Sequence, residues 1–171
     1  IGAFTLRAHP ETPLRVVEAP DHHRVLIGDA FSTDERPVES LLAGVVPVGE
    51  HLAGLEALES LSGRFALLVL AGSRCFALND AFGARSLFYR KAGGTAISSH
   101  AQLLAHAFRI HRRADVLKLL ATPGYMKRPV KYLPGHTTLY DGVQALIPNN
   151  YVEATSGRMR RYWPCTPNAA A

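Results

Sequence analysis

An apolar hairpin in the middle of the chain restricts the fold more than any other feature of the sequence. Residues 64–70 are an almost continuous apolar run, residues 71–73 supply a turn around Gly72, and residues 74–79 are again mostly apolar. Two apolar runs separated by so short a turn predict two antiparallel strands. We therefore expect the fold to be built on a β-sheet.

A second predicted hairpin follows the first. Residues 86–90 and 95–98 have the composition of strands, and they flank a turn at Gly93 and Gly94. Four consecutive strands joined by tight turns predict an antiparallel sheet and not a parallel, Rossmann-type one. The paired glycines are interpreted as a turn, since the sequence contains no phosphate-binding glycine-rich motif.

Helices are predicted ahead of the hairpins. Residues 32–34 are typical of a helix start, and Val38, Leu41 and Leu42 then follow with the spacing of an inner helix face. Residues 51–61 place a leucine at every third position, which also predicts a helix.

The rest of the chain predicts further helices and strands. Helices are expected over residues 100–108, with Ser98 or Ser99 as the cap, and over residues 115–120. Strands are expected in four other places: residues 4–7, 24–28, 150–155 and 158–162. This order of strands and helices predicts an α+β fold, with helices on the faces of mostly antiparallel sheets.

The overall composition is typical of one globular domain. The chain has 171 residues, and its 47% hydrophobic and 19% charged residues indicate a folded rather than a disordered protein. The net charge of +5 makes the chain mildly basic, but no nucleic-acid-binding motif accompanies the basic residues. A nucleic-acid partner is therefore not expected.

The cysteines and the apolar runs predict a cytoplasmic protein without a membrane span. Cys75 lies in an apolar strand pattern and Cys165 in a proline-rich tail, so the two do not make a disulfide framework. The longest apolar stretches are far below the roughly 18 residues that a membrane helix needs. His22 and His23 have no convincing zinc spacing to a third ligand, and we predict no metal site.

Several segments resemble, in order, those of a known domain family. Residues 61–66 (L-S-G-R-F-A) are similar to its strand start L-x-G-x-F-A, and residues 80–89 (D-A-F-G-A-R-S-L-F-Y) to its segment D-x-x-G-x-x-P-L-Y-Y. Residues 97–104, 138–148 and 161–163 resemble three further segments. The family is that of the class II glutamine amidotransferase domains of asparagine synthetases.

This resemblance implies a fold, a domain boundary and a partner. The implied fold is a four-layer αββα sandwich of mostly antiparallel sheets, of the N-terminal-nucleophile amidohydrolase type, over residues 1–163. Residues 164–171 would be a tail or the start of a linker. The implied partner is a synthetase domain of the ATP-pyrophosphatase type, in the same or another chain, since its S-G-G-x-D-S loop is absent here. Self-association is left open.

The matching motifs contain five residues for which we expect a structural role. Gly63 and Gly83 permit backbone conformations that a Cβ atom disfavours. Asp80 is expected to brace the turn at Gly83 through hydrogen bonds to the backbone. Phe65 and Tyr89 belong to predicted strands and are expected in the core.

The residues that the family needs for glutamine hydrolysis are missing. The reaction uses an N-terminal cysteine, whose α-amino group is the base, and an Asn-Gly pair that contributes to the oxyanion hole. The chain instead opens with Ile1, and Ile27-Gly28-Asp29 stands where the resemblance places Asn-Gly-Glu. Asp34 is the nearest counterpart of the carboxylate that holds the glutamine α-amino group. We expect a vestigial pocket formed by Ile27, Gly28, Asp29 and Asp34, and we assign no catalytic residue.

The resemblance thus implies a glutaminase-like domain without catalysis, degenerate as in β-lactam synthetases and lasso-peptide cyclases. It would be the structural partner of an ATP-dependent amide-forming ligase and would hold no cofactor of its own. A docking surface is expected at residues 125–139, with Tyr132, Leu133 and Pro134. Two alternatives stay open: an active glutaminase whose cysteine lies upstream of Ile1, and a module that binds another small molecule in the former glutamine pocket.

Overall fold

The structure is a computed structural model, and it describes residues 4–90, 95–130 and 132–164. Strands dominate these ranges. In chain order they are β1 (Leu14–Glu18), β2 (His23–Ser32), β3 (Val46–Val48), β4 (His51–Ala53), β5 (Leu61–Ala71), β6 (Arg74–Asn79), β7 (Phe88–Arg90), β8 (Ala96–Ser98), β9 (Val143–Ala145), β10 (Asn150–Glu153) and β11 (Arg158–Arg161). The helices are α1 (Val38–Gly44), α2 (Ala101–Ala107), α3 (Ala114–Leu120) and α4 (Pro123–Met126), with a 3-10 helix over Leu55–Ser60.

The predicted apolar hairpin is the centre of a six-stranded sheet. Its strands, β5 and β6, pair antiparallel from Ala66 opposite Asn79 to Ala71 opposite Arg74. The strand order is β1-β2-β5-β6-β10-β11, and every neighbouring pair is antiparallel. The prediction of an antiparallel hairpin over residues 64–79 is confirmed.

The hairpin is apolar throughout because both faces of the sheet are covered. Leu67 and Val69 of β5 belong to a core cluster on one face, whereas Ala66 and Leu68 belong to a second cluster on the other. All four side chains are buried. Successive side chains of a strand point to opposite faces, so a continuous apolar strand is stable only between two other layers.

On one face, α1 and the 3-10 helix cover the large sheet. Three residues of α1 are buried in the first cluster, as their spacing predicted: Val38, Leu41 and Leu42. The buried Arg24 of β2 holds the end of this helix, because its Nε donates to the Val45 carbonyl at 2.7 Å and its Nη2 to the Ala43 carbonyl at 3.0 Å. Carbonyls at a helix C-terminus lack partners within the helix, so these bonds satisfy them.

On the other face lies a three-stranded antiparallel sheet of order β8-β7-β9. Tyr89 of β7 is buried in the second cluster, between the two sheets. α2 packs on the small sheet through its buried Leu104 and Ala105. The Arg90 guanidinium of β7 lies 4.2 Å from the centroid of the Phe108 ring, which follows α2. The protein is thus an α+β fold with mostly antiparallel sheets, as predicted.

The two predicted hairpins belong to different sheets. The first lies in the six-stranded sheet, and the second, β7 with β8, lies in the small one. The second pairs as predicted, with Phe88 opposite Ser98 and Arg90 opposite Ala96. Its turn at Gly93 and Gly94 is outside the described residues.

The prediction of a strand over residues 4–7 is wrong. These residues form no strand, and β1 is the first strand within the described ranges. β1 is at the edge of the large sheet and leaves Leu14 and Val16 44% and 46% exposed. Since both faces of β1 are largely exposed, its sequence lacks the alternation of apolar and polar residues that marks a half-buried strand.

The prediction of an α-helix over residues 51–61 is also wrong. β4 takes the first three residues, the 3-10 helix follows, and β5 begins at Leu61. A 3-10 helix has three residues per turn, so leucines at every third position lie on one side of it. Of the four leucines, Leu55 and Leu58 lie in this 3-10 helix, whereas Leu52 belongs to β4 and Leu61 to β5. The spacing of three therefore does not mark one helical face over residues 51–61.

The predicted beginnings of two helices need correction. Residues 32–34 do not start α1, because β2 continues to Ser32 and the helix begins only at Val38. The residue that precedes α2 is His100, whose side chain makes no cap hydrogen bond, so neither Ser98 nor Ser99 is the cap. Ser98 Oγ instead accepts from the backbone N–H of His100 at 3.2 Å.

Other predictions are confirmed or fall outside the described ranges. The strands predicted near residues 24–28, 150–155 and 158–162 are β2, β10 and β11, and the helix predicted at 115–120 is α3. Ile1, Cys165 and nearly all of the predicted tail lie outside the described residues. Among those described, no helix is long and apolar enough to cross a membrane.

Candidate functional site

A cleft of about 680 Å³ lies between the two sheets, beside the N-terminal segment. β2 and β5 of the large sheet form one wall, and β8 with the start of α2 forms the other. The segment that contains Leu6 and His9 and the turn that contains Arg85 complete its rim. We call this space the inter-sheet cleft.

Of the four predicted pocket residues, Ile27 lines the inter-sheet cleft, and Gly28 lies beside it, against the side chain of the lining residue Arg85. Ile27 also packs on the second core cluster. Gly28 has a φ of +106°, and a Cβ atom there would lie 2.4 Å from the Arg64 carbonyl oxygen and 2.8 Å from Arg85 Nη1. A side chain at position 28 would therefore have to displace both the neighbouring strand and the Arg85 guanidinium.

The backbone of Gly28 is already occupied by a hydrogen bond. Its N–H donates to the Pro13 carbonyl at 2.8 Å, which extends the ladder between β1 and β2 beyond the pair of Leu14 and Ile27. An oxyanion hole needs donors that point at the reacting oxygen and are free to bind it. At this position the Ile27 side chain has no donor, and the Gly28 N–H points into the sheet.

Asp29 and Asp34 do not line the cleft. Asp29 is exposed on β2, opposite Arg64 of β5. Asp34 lies beyond the end of β2, where its Oδ2 accepts from Arg36 Nε at 2.8 Å and its Oδ1 from Ser32 Oγ at 2.7 Å. These hydrogen bonds, above all that of Arg36, hold the pKa of the Asp34 carboxyl well below its usual value. The structure therefore leaves both acids outside the lining of the cleft.

Asp80 organises the turn that carries Arg85 into the cleft rim. Its buried carboxylate accepts from three backbone N–H groups, those of Phe82 at 3.2 Å, Ala84 at 2.9 Å and Arg85 at 2.9 Å. Gly83, within this turn, has a φ of +64°, and a Cβ atom there would lie 2.6 Å from Pro148 Cγ. The turn is thus determined by a carboxylate that faces its N–H groups and by a glycine in the left-handed region.

The other three motif residues lie in the strands near the cleft. Gly63 of β5 has a φ of +134°, and a Cβ atom there would be 2.3 Å from the carbonyl oxygen of Asp29. Phe65 is 3% exposed and belongs to the first cluster. Tyr89 is 2% exposed, and its hydroxyl donates to Gln144 Oε1 at 2.7 Å. Burial raises the pKa of Tyr89, so its hydroxyl remains a donor at neutral pH.

The cleft has a cationic rim that the sequence did not reveal. Arg7, Arg64 and Arg85 all line it, together with His9 and His100, and no Asp or Glu is among its described lining residues. These side chains come from four separate segments: the N-terminal segment contributes Arg7 and His9, and each of the other three contributes one basic residue. No local motif or charge run marks them, so only the fold brings them together.

The cysteine among the described residues is unsuited to act as a nucleophile. Cys75 is 3% exposed within β6, and burial raises the pKa of its thiol to about 12. A thiol attacks as its thiolate, and this one is protonated at neutral pH. The described residues also contain no candidate metal site, because no group of three or more His, Cys, Asp or Glu side chains is placed to hold a metal ion. His22 Nδ1 lies 2.6 Å from Asp21 Oδ1.

Comparison with protein families identifies one match. A family model described as a glutamine amidotransferase domain matches residues 29–163. The match contains β5 to β11, the Asp80 turn and most of the cleft walls, and it begins directly after Gly28. A comparison with curated proteins finds no match.

Proposed function

Because this chain belongs to the glutamine amidotransferase domain family, we propose that it is a glutaminase-like domain that does not hydrolyse glutamine. It serves as the structural partner of a synthetase domain of the ATP-pyrophosphatase type, within an asparagine-synthetase-like ligase. The motifs at residues 61–66 and 80–89 support this subfamily. The packing order of α1, large sheet, small sheet and α2 supports the four-layer αββα fold of N-terminal-nucleophile amidohydrolases.

One observation carries the proposed loss of activity. The Gly28 N–H donates to the Pro13 carbonyl, and the neighbouring Ile27 has no side-chain donor. Loss of a single oxyanion-hole donor costs about 3–4 kcal/mol of transition-state stabilisation, roughly a hundred- to thousandfold in rate. Here both donors of the Asn-Gly pair are lost. This deficit is independent of any residue that precedes Ile1.

The activity assay measures glutamate release from glutamine by the full-length protein with its natural N-terminus. We expect no release above buffer while circular dichroism shows a folded protein. Ile27→Asn restores one side-chain donor, but the Gly28 N–H still donates to the Pro13 carbonyl. This variant should therefore stay inactive as well. Turnover that disappears when an upstream cysteine is replaced by alanine would establish the alternative, an active glutaminase, and refute our proposal.

An exposed apolar segment supports the proposed docking role. Within the predicted docking region, Met126, Val130 and Tyr132 are 56%, 52% and 79% exposed. Tyr125 is not part of this surface, because it is 6% exposed and therefore buried. Adjacent exposed apolar side chains favour contact with another protein surface. We propose that the synthetase domain covers them, in a cytoplasmic protein whose glutaminase-like domain holds no cofactor.

The docking role is tested by binding of the separately expressed synthetase domain. Tyr132→Ser should weaken the complex, since aromatic side chains at interfaces contribute strongly to affinity. Phe82→Ser is the matched control, because Phe82 is 92% exposed but lies in the Asp80 turn, outside residues 125–139. Equal loss of binding in both variants, or none in either, would contradict this surface.

A further inference from the structure

We propose that the inter-sheet cleft binds a small dianionic ligand, whose phosphate or carboxylate groups are held by Arg7, Arg64 and Arg85. The ligand replaces glutamine in a cleft that no longer hydrolyses it. The inference therefore deepens the proposed function and rests on it.

The cleft arginines lack the ion pairs that four other arginines of this protein form. Four arginines elsewhere form ion pairs with carboxylates: Arg15 with Glu39, Arg36 with Asp34, Arg113 with Asp115, and Arg158 with Glu50. Among the described residues, the guanidinium groups of the three cleft arginines have no ion pair and no hydrogen bond. Three unpaired cations along one concave surface favour a ligand with more than one negative charge.

Arg85 is held in place from two sides. Its backbone N–H donates to Asp80 Oδ2 at 2.9 Å, which anchors the residue at the end of the turn. Its side chain crosses the bare backbone of Gly28, where a Cβ atom would lie 2.8 Å from Nη1 and 3.4 Å from Cδ. Gly28 thus provides room for a guanidinium at the place where the family resemblance puts the oxyanion hole. The fork of an arginine matches the paired oxygens of carboxylate and phosphate groups.

The remaining cleft walls suit a small molecule with an anionic end. Ser86, Ser98 and Ser99 contribute hydroxyl groups, and Ser99 Oγ lies 2.9 Å from His100 Nδ1. Ile27 and Leu87 are among the apolar side chains of the opposite walls. A volume of about 680 Å³ is within the range of small-molecule sites.

The acid opposite Arg64 in the large sheet forms no ion pair with it. Asp29 is opposite Arg64 in the pairing of β2 with β5, but it makes no ion pair with a described residue and does not line the cleft. Glutamine itself carries a positive α-ammonium group beside its single carboxylate, and the cleft offers no described carboxylate to receive that group. A dianion without an ammonium group therefore suits the described lining better than glutamine does.

The test measures binding by isothermal titration calorimetry on the full chain at constant ionic strength. The probes are inorganic phosphate, pyrophosphate, succinate and glutamine. We expect saturable binding of at least one dianion with a Kd below about 10 mM, and at least about tenfold tighter than that of glutamine. A preference for the phosphates or for succinate then identifies the anionic group. Binding of no dianion in this range, or of glutamine as tightly as the best dianion, overturns the proposal.

Matched charge variants separate the site from general attraction. Arg85→Met and Arg64→Met should each weaken the bound dianion about tenfold, because each removes charge-assisted hydrogen bonds. Arg112→Met is the control: Arg112 is exposed, has no side-chain partner among the described residues and does not line the cleft. An equal effect of Arg112→Met, or no effect of the two cleft variants, overturns the proposal. Glutamate release would refute the proposed function instead, without changing these binding results.

Discussion

Asp80→Ala is expected to destabilise the protein through the turn that precedes β7. The substitution removes a carboxylate that accepts from the backbone N–H groups of Phe82, Ala84 and Arg85 at 3.2, 2.9 and 2.9 Å. No other hydrogen bond to these three N–H groups occurs among the described residues. The variant therefore leaves three donors without their partner in a turn that the native structure holds closed.

The magnitude follows from the number of donors and from their access to water. An unsatisfied buried donor costs about 1–3 kcal/mol. Phe82 and Ala84 are exposed and Arg85 is half-buried, so water can partly replace the carboxylate and the lower limit applies. Three donors at about 1 kcal/mol each give a loss of about 3 kcal/mol. This is a large part of the roughly 5–15 kcal/mol by which a domain is stable.

A second substitution divides this loss between the two carboxylate oxygens. Oδ1 accepts from Phe82 and Ala84, and Oδ2 accepts from Arg85. In Asp80→Asn the amide oxygen can keep the first two bonds, while the NH₂ group faces the Arg85 N–H. We expect a loss of about 1–2 kcal/mol for this variant, smaller than that for alanine.

The assay is equilibrium unfolding in urea, followed by circular dichroism and analysed by linear extrapolation. Asp141→Ala is the control, because Asp141 is exposed and no ion pair or hydrogen bond to its carboxylate is present among the described residues; its change should stay within about 0.5 kcal/mol. A loss below about 1 kcal/mol for Asp80→Ala, or a larger loss for asparagine than for alanine, would refute the reasoning.

Three further predictions concern stability and reactivity. Gly83→Ala should lower the melting temperature more than Gly72→Ala does, because both glycines have positive φ values but only position 83 places a Cβ atom near Pro148; equal shifts would show that the contact with Pro148 has no cost. Arg24→Met should reduce the free energy of unfolding by about 2–3 kcal/mol, since it leaves two carbonyls at the end of α1 without donors, and Arg24→Lys should lose less in the same urea titration. In a Cys165→Ser background, the buried Cys75 should not react with a thiol reagent at about pH 8 until urea unfolds the protein, because its pKa is raised to about 12; a rapid native reaction would contradict its burial.

Prediction from sequence succeeded where one periodic signal dominated. The two apolar runs of β5 and β6 required burial on both faces, and the inner face of α1 followed helical spacing, so both were predicted correctly. It failed where the local signal was ambiguous. β1 is an exposed edge strand, and the leucines of residues 51–61 fit a 3-10 helix and two strands as well as an α-helix.

The candidate site was only partly predictable for a related reason. Their resemblance to a motif placed Ile27 and Gly28 in the pocket. In the structure Ile27 lines the inter-sheet cleft, and Gly28 lies against Arg85, which lines it. The same motif placed Asp29 there, and Asp34 was the nearest counterpart of the family's carboxylate, but neither residue lines the cleft. Asp34 lies beyond the end of β2, where Arg36 binds it locally, so its proximity to the motif in sequence did not become proximity to the cleft.

The sequence by itself determined the class of fold and the central hairpin, because these depend on residue type and short-range spacing. Tertiary structure decided two features that no local pattern contains. The Gly28 N–H donates to the Pro13 carbonyl because β1 pairs with β2. Arg7, Arg64 and Arg85 share one cleft because two sheets and the N-terminal segment pack together there. Both depend on contacts between segments distant in sequence, and such contacts form only when the chain is folded.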